Sequence, residues 1–217
     1  TRWFLSRVRL QPIASFVARI MRLTRLSLVS KPKRKMALTP EIIQKALTIR
    51  DRKTSDFDLN VHLAPPAKNL SAAAVLIPVL SVDGQPVVAL TKRAEHLKHH
   101  PGQVSFAGGR AEESDPNLEF TALREAEEEM GLPPAMVQIL GRLPSHRTVT
   151  NFEMTPVVGW LEDTWEVRVD KNEVQETFFV PLSHISSTSN FVIEQRAWFG
   201  HKRHYYAVPF GHYYIWG

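Results

Sequence analysis

Apolar residues fall in short runs along most of this chain, and only one stretch carries a long helical rhythm. Residues 72–80, Ala-Ala-Ala-Val-Leu-Ile-Pro-Val-Leu, are nearly continuous hydrocarbon and read as a buried strand. Val82, Asp83, Gly84 and Gln85 carry the Asp-Gly turn signal, and residues 87–91 return as a second strand. Further strands are predicted at 136–143, 155–161, 174–180, 191–199 and 204–208. A short amphipathic helix starts after Thr39 with Pro40 and Glu41, its apolar side made by Ile42, Ile43, Ala46 and Leu47. Residues 51–70 are polar and contain Pro, as expected of a linker lying over the surface. The long helix is expected to begin with Asp115 as N-cap and Pro116 at its first position, and to end at Gly131 in the left-handed conformation. One long helix among mostly hairpin-connected strands predicts an α+β domain with a mixed sheet.

That helix contains Arg124-Glu125-Ala126-Glu127-Glu128-Glu129. At about 100° per residue, Glu125, Glu128 and Glu129 share roughly one third of its circumference. Like charges at this spacing repel, so a purely structural helix gains nothing by stacking them. A hard divalent cation reverses the cost, because Mg²⁺ takes carboxylate oxygens and substrate phosphates together. The plain alternative is a solvated acidic face.

The wider stretch, 108–132, carries more than the glutamates. A Gly108-Gly109 loop leads in, Arg124 precedes Glu125, and Gly131-Leu132 closes. Together these resemble the Nudix box, G-x5-E-x7-R-E-U-x-E-E-x-G-U with U aliphatic, the signature of enzymes that hydrolyse a diphosphate linked to another moiety. Arg124, Glu125, Ala126, Glu128, Glu129, Gly131 and Leu132 match its second half. The first half holds one residue more than the pattern, which leaves the loop acid open among Glu112, Glu113 and Asp115. The resemblance implies a Nudix-fold α/β/α sandwich. Glu125 and Glu129 would be the principal ligands of Mg²⁺ or Mn²⁺, with Glu128 sharing that shell. Arg124 would hold a glutamate or the loop in place, and Gly108 and Gly109 would let the backbone turn tightly beside the helix. A general base is still needed, or a metal-bound hydroxide doing its work; the candidates are Glu128 and Glu173, the latter in an Asn-Glu-Val context before a strand.

The segment before the box runs from Leu90 into Gly109 and resembles the coenzyme A diphosphatase branch of that family. Thr91, Arg93, Leu97, His100, Gly102, Gln103, Val104, Ser105, Phe106, Gly108 and Gly109 match, while Ala107 stands where the branch usually has Pro. Leu143-Pro144, the run 155–159 and the closing Tyr-Ile-Trp-Gly look like the same branch. The resemblance implies cleavage of coenzyme A or acyl-coenzyme A to adenosine 3′,5′-bisphosphate and (acyl-)4′-phosphopantetheine. Arg93, Lys98, His100, Gln103, Ser105, Gly108 and Gly109 are the substrate-binding candidates, Arg93 as a bidentate fork and Lys98 as a point charge on phosphate. His96 and His99 read as incidental histidines of a turn, and their spacing fits no standard zinc set. The rivals are a Nudix hydrolase of ADP-ribose or NADH, a catalytically silent ligand sensor, and a nucleic-acid binder using a basic tail.

Composition narrows these. The 217 residues include no cysteine, which excludes disulfides, thiolate metal sites and a Cys nucleophile. No apolar run approaches the length of a membrane span. The net charge of +5 hides a division: residues 1–35 hold seven Arg and three Lys without an acid, so the remainder carries −5. Basicity belongs to the extension, and nucleic acid is not an expected partner. Residues 1–35 resemble a mitochondrial presequence, fit a basic membrane-surface helix, or lie upstream of a true start at Met36, the last being favoured. The expected division is therefore a basic extension at 1–35, a helix and linker at 36–70, and the hydrolase domain at 71–217. A cytoplasmic location is expected, or a mitochondrial one if the extension is a presequence. The chain ends after Trp216-Gly217 where relatives continue into a helix, so a C-terminal helix is expected to be missing.

Overall fold

The computed structural model describes residues 38–48, 52–63, 69–98, 100–198 and 200–216. The extension expected at 1–35, Met36 and His99 lie outside the described residues. In chain order the elements are α1 (Pro40–Leu47), β1 (Thr54–Ser55), a 3₁₀ turn (Val61–Leu63), β2 (Ser71–Val82), β3 (Gln85–Arg93), β4 (Val104–Ser105) and β5 (Gly108–Arg110). There follow α2 (Leu118–Met130), a second 3₁₀ turn (Pro134–Met136), β6 (Gln138–Arg142), β7 (His146–Arg147), β8 (Phe152–Trp160) and β9 (Val174–Pro181). The chain closes with α3 (Leu182–Ser186), a third 3₁₀ turn (Thr188–Asn190), β10 (Val192–Trp198), β11 (His201–Phe210) and β12 (Tyr213–Trp216).

The strands join in one mixed sheet whose central path runs β1-β7-β8-β2-β3-β4-β12-β11-β10. β2 lies parallel to β8 from Ser71↔Phe152 to Val79↔Trp160, and antiparallel to β3 through Val79↔Val88 and its neighbours. Its continuous hydrocarbon is explained by coverage on both faces. Ala73, Val75, Ile77 and Val79 enter one core with Ile43 and Ala46 of α1 and Leu182 and Ile185 of α3. Ala74, Leu76 and Leu80 enter a second core with Ala122, Ala126 and Met130 of α2. Successive side chains alternate faces, so one strand feeds both cores. The result is the expected α/β/α layering of an α+β fold.

The sheet forks beside its middle. Below Val79, β2 leaves β3 and pairs with β5, Ala74↔Gly109 and Val75↔Gly108, while β3 pairs with β4, Thr91↔Ser105. The loop between β4 and β5 therefore enters the split, and α2 lies across it.

Two expectations need correction. Asp115 is not the N-cap of α2: Asn117 is, its side chain accepting the Phe120 N–H at 2.8 Å, because the Asp115 carboxylate is committed to Arg124. Residues 51–70 are also more than a surface linker. Asp56 and Asn60, 0% and 1% exposed, are driven into the fold beside Phe57. Asp56 accepts from the Val149 N–H at 2.7 Å and lies 3.2 Å from the Arg203 guanidinium and 3.3 Å from Nε2 of His146. The Thr54 hydroxyl meets the other ring nitrogen of His146 at 2.7 Å, and Asn60 exchanges two hydrogen bonds with the backbone of His204. Asp56 and Asn60 can be buried here because their side chains find partners.

No helix among the described residues is long and apolar enough to cross a membrane.

The knot at Asp56 yields a stability prediction. Removing the acid leaves a buried guanidinium without that counter-charge, which costs about 3–5 kcal/mol. Asp56→Ala is expected to lower the unfolding free energy by that order in a denaturant titration, with turnover per folded molecule retained.

Candidate active site

Arg124 organises the front of α2. Its Nε and Nη2 form a fork on Asp115, at 3.1 and 3.0 Å. Nη1 reaches Glu125 at 2.9 Å and Glu128 at 3.4 Å, and Nη2 also donates to the carbonyl of Arg110 at 3.2 Å. Asp115 further accepts from the Glu112 N–H and the Thr121 hydroxyl, at 3.0 and 2.9 Å. Its side chain is 1% exposed, whereas Glu112 and Glu113 are exposed. Of the three loop acids left open by the sequence, Asp115 is the one that geometry places against the helix. The Arg124 fork holds its carboxyl well below the usual range, at about 2.

The glycine pair sits directly under the acids. A Cβ on Gly109 would overlap the Glu125 carboxylate, and one on Gly108 would overlap the Ala74 carbonyl and Val75. The need is for close approach of backbone to a carboxylate. The Gly108 N–H donates to Glu129. Burial pushes the Glu129 carboxyl well above its usual range; the Glu125 and Glu173 carboxylates push the same way, while Arg93 and the Gly108 bond oppose.

Glu173 reaches this place through the helix end. Gly131 closes α2 with φ 66°, and the 165–170 segment satisfies the last carbonyls. Trp165 Nε1 and the Arg168 N–H donate to Met130, and the Asp170 N–H donates to Glu129, at 3.1, 3.2 and 3.2 Å. The Glu173 N–H then bonds Asp170, and the Glu173 carbonyl accepts from Ala94 just past β3.

The remaining candidates divide into two groups. Arg93 and Ser105 stand on strands beside the fork, and Gln103 immediately precedes β4, its carbonyl accepting the Arg93 N–H at 2.9 Å. Gln103 is 3% exposed, yet its amide nitrogen and oxygen have no hydrogen-bond partner among the described residues, nor has Nε of Arg93. Buried polar atoms of this kind call for an absent ligand or water. Lys98 is exposed on the loop between β3 and β4, and His100 is half-buried there with φ 54°. The leading charges on Glu129 are Glu125, Arg93 and Glu173, not these two.

Thr177 was not foreseen. It pairs with Thr91 on β3, and its buried hydroxyl is also without a partner among the described residues. The signal was available in the alternation of β9: Phe179, two residues on, packs into the α2-side core.

Among the described residues no three His, Asp or Glu side chains already form a metal cage. The donor set nonetheless suits Mg²⁺ or Mn²⁺, which bind through one or two carboxylates plus substrate phosphates and keep several waters. Buried Glu129 beside Glu125 and Glu173 is an excess of negative charge that such an ion neutralises.

The Nudix domain model matches residues 70–202, more than half of the chain. The chain belongs to the Nudix family. The Nudix hydrolase is similar to the uncharacterized Nudix hydrolase NudL of Enterobacter sp. (strain 638), 41% identical over 152 residues, covering 69% of this chain and 77% of that protein. It is 38% identical over 149 residues to NudL of Salmonella paratyphi B, with the same coverage. Among solved structures, a C. elegans Ap4A hydrolase aligns over 51% of this chain and 80% of its own, at 16% identity and a TM-score of 0.45. The stretch read as the Nudix box lies on β5, the 111–117 loop and α2.

Two outcomes follow for Asp115. Loss of a residue that orients metal-binding carboxylates typically costs roughly 10–100-fold in activity or metal affinity; Asp115→Asn is expected to fall in that range, read by Mg²⁺-dependent turnover. Its folded pKa is depressed, so the ionised form stabilises the fold above the unfolded value of 3.8, and the contribution is lost as pH falls through about 2. Chemical denaturation of both proteins is expected to show a stability gap that is full above pH 4 and closes towards pH 2.

Proposed function

We propose that this Nudix hydrolase cleaves the diphosphate of coenzyme A or acyl-coenzyme A, releasing adenosine 3′,5′-bisphosphate and (acyl-)4′-phosphopantetheine. The observation that carries the reading is the position of the 90–106 segment. Its Arg93 and Gln103, the residues matched to the coenzyme A branch, flank the fork and bring unpartnered buried polar atoms to the same side as Glu129. A ligand with both a diphosphate and neutral hydrogen-bonding groups suits a guanidinium next to a carboxamide.

Diphosphate hydrolysis needs a water in line with the leaving phosphate, a group to take its proton, and relief of charge on the phosphate oxygens. Glu125 and Glu129 would hold Mg²⁺ or Mn²⁺, with Glu128 at the rim of that set; when bound, the ion supplies charge neutralisation and an acidified water. Arg124, tied to Asp115, keeps Glu125 and Glu128 in position. Gly108 fixes Glu129 through its N–H, and Gly109 leaves room for Glu125. Arg93 binds a phosphate oxygen, and Gln103, Thr177 and Ser105 offer neutral contacts. Glu128 and Glu173 are the two bases able to accept the water's proton. The atoms balance as one water added, one P–O bond of the bridge broken, and two phosphate monoesters formed.

The substrate is tested by product analysis after incubation with coenzyme A, acyl-coenzyme A and ADP-ribose in Mg²⁺. Coenzyme A or its thioester is expected to be turned over most efficiently; preferential cleavage of ADP-ribose would overturn the coenzyme A reading and favour the broader nucleoside-diphosphate alternative. Glu129→Gln is expected to nearly abolish turnover, by about 10²–10⁴-fold on the scale of groups that act directly in the chemical step, with an unchanged circular dichroism spectrum. Wild-type activity in that variant would remove Glu129 from the proposed metal set.

A further inference from the structure

β10, Val192–Trp198, is the last strand on its side of the sheet: among the described residues, β11 pairs with one of its edges and nothing pairs with the other. Sheet edges are normally defended against pairing by brevity, Pro, a bulge, charged side chains or a covering segment. Of these β10 carries only charged side chains, one of each sign. It is seven residues long, contains neither Pro nor Gly, and runs in unbroken register against β11 from Val192↔Ala207 to Trp198↔His201. Its one acid, Glu194, and one base, Arg196, cancel. Val192 and Ile193 are 38% and 58% exposed beside it.

The sequence Val-Ile-Glu-Gln-Arg-Ala-Trp is its own electrostatic complement. Laid antiparallel against a second copy with Gln195 opposite Gln195, Glu194 faces Arg196 of the second copy, and Arg196 faces its Glu194. Ile193 faces Ala197. Residues directly opposed across such a pair have Cβ atoms about 4.5–5.5 Å apart, close enough for each charge pair to contribute. Neighbouring registers fail. Centring on Glu194 or on Arg196 sets like charges against each other, and centring between residues aligns no opposite charges at all. One register is therefore selected over its neighbours.

Both charges are also held in place. The Arg196 guanidinium lies over the Trp216 ring, 4.8 Å from its centroid, and the Glu194 carboxylate is hydrogen-bonded to Tyr214. Trp216 and Tyr214 stand on β12, so both side chains lean across β11 and must turn outward to meet a partner, a cost that keeps the pairing weak.

We propose that β10 is a homotypic docking edge, on which a second copy of this chain pairs antiparallel about a two-fold axis through Gln195. The contact is isologous, so it closes at two copies. Seven residues from each copy bury less than a standard interface of about 800 Å² per partner, so the dimer is weak and concentration-dependent. The proposal is independent of the substrate assignment.

The test is sedimentation equilibrium of the full chain at rising concentration, with wild type, E194R, R196E, the double variant E194R/R196E, and a mixture of the two single variants. Wild type is expected to shift from monomer towards dimer mass. Each single variant sets like charges opposite each other twice and is expected to lose the shift. The double variant restores opposite charges and is expected to regain it. The mixture is expected to form a heterodimer, because one strand then carries two bases and the other two acids. Circular dichroism and hydrolytic turnover confirm folding of each variant. A wild type that stays monomeric throughout would overturn the proposal, as would a dimer indifferent to the single substitutions. Folded single variants that do not associate when mixed would also overturn it.

Discussion

A single guanidinium ties the loop of the box to its helix. Arg124 grips Asp115 with two nitrogens and reaches Glu125, Glu128 and the Arg110 carbonyl with the rest of its fork. Without it, three carboxylates and the end of β5 would lose the guanidinium that they share. A planar group with five fixed donors can satisfy such an array, whereas a lysine, a point charge on a flexible stem, cannot. Asp115 in turn is held by Thr121, one helical turn before Glu125, so the restraint runs from loop to helix and back. The orientation of Glu125 and Glu128 is thus built into the protein before any ligand arrives.

The second constraint is steric. The fork in the sheet admits Gly108 and Gly109 beside α2, and the Glu125 carboxylate occupies the space where a side chain would stand on Gly109. Backbone that close to an acid supplies an N–H, and Gly108 uses its own on Glu129. This single bond does not offset full burial, and Glu125 and Glu173 add to the cost. The helix can carry that cost because Ala122, Ala126 and Met130, beside the acids on the same buried face, anchor it in the core. The apolar anchors and the buried acids thus share the face of α2 turned to the sheet.

Much of this was legible in the sequence because its signals are local. The continuous hydrocarbon of β2, the apolar run of β3 and the Asp83-Gly84 turn with φ 50° and 73° follow from neighbouring residues alone. The Arg-Glu-Ala-Glu-Glu-Glu run located the helix and its acidic face in the same way. What escaped depended on partners distant in sequence. Asp115-Pro116 has the form of an N-cap and first turn, but a guanidinium nine residues on captures the acid and Asn117 takes the cap. Asp56 sits in a polar stretch, and its burial rests on His146 and Arg203, which no local pattern links to it. β4 and β5 are two and three residues long, too short for a period, and exist because the fork offers them β3 and β2 as templates.

The fork also explains why two stretches adjacent in sequence carry different information. Residues 90–106 wrap β3, its loop and β4, whereas the glycine pair crosses to β2 and hands the chain to α2. The glycine pair and the acids of α2 are therefore fixed by one arm of the split, and Arg93, Gln103 and Ser105 by the other. Acids on α2 can stay the same while the β3–β4 arm changes, because below Val79 the two arms share no paired residues. Arg93 is where the arms touch: it stands on β3, yet its charge offsets part of the repulsion on Glu129. A change at that position would alter the electrostatics of the acids, whereas Gln103 and Thr177 are not among the groups that shift Glu129.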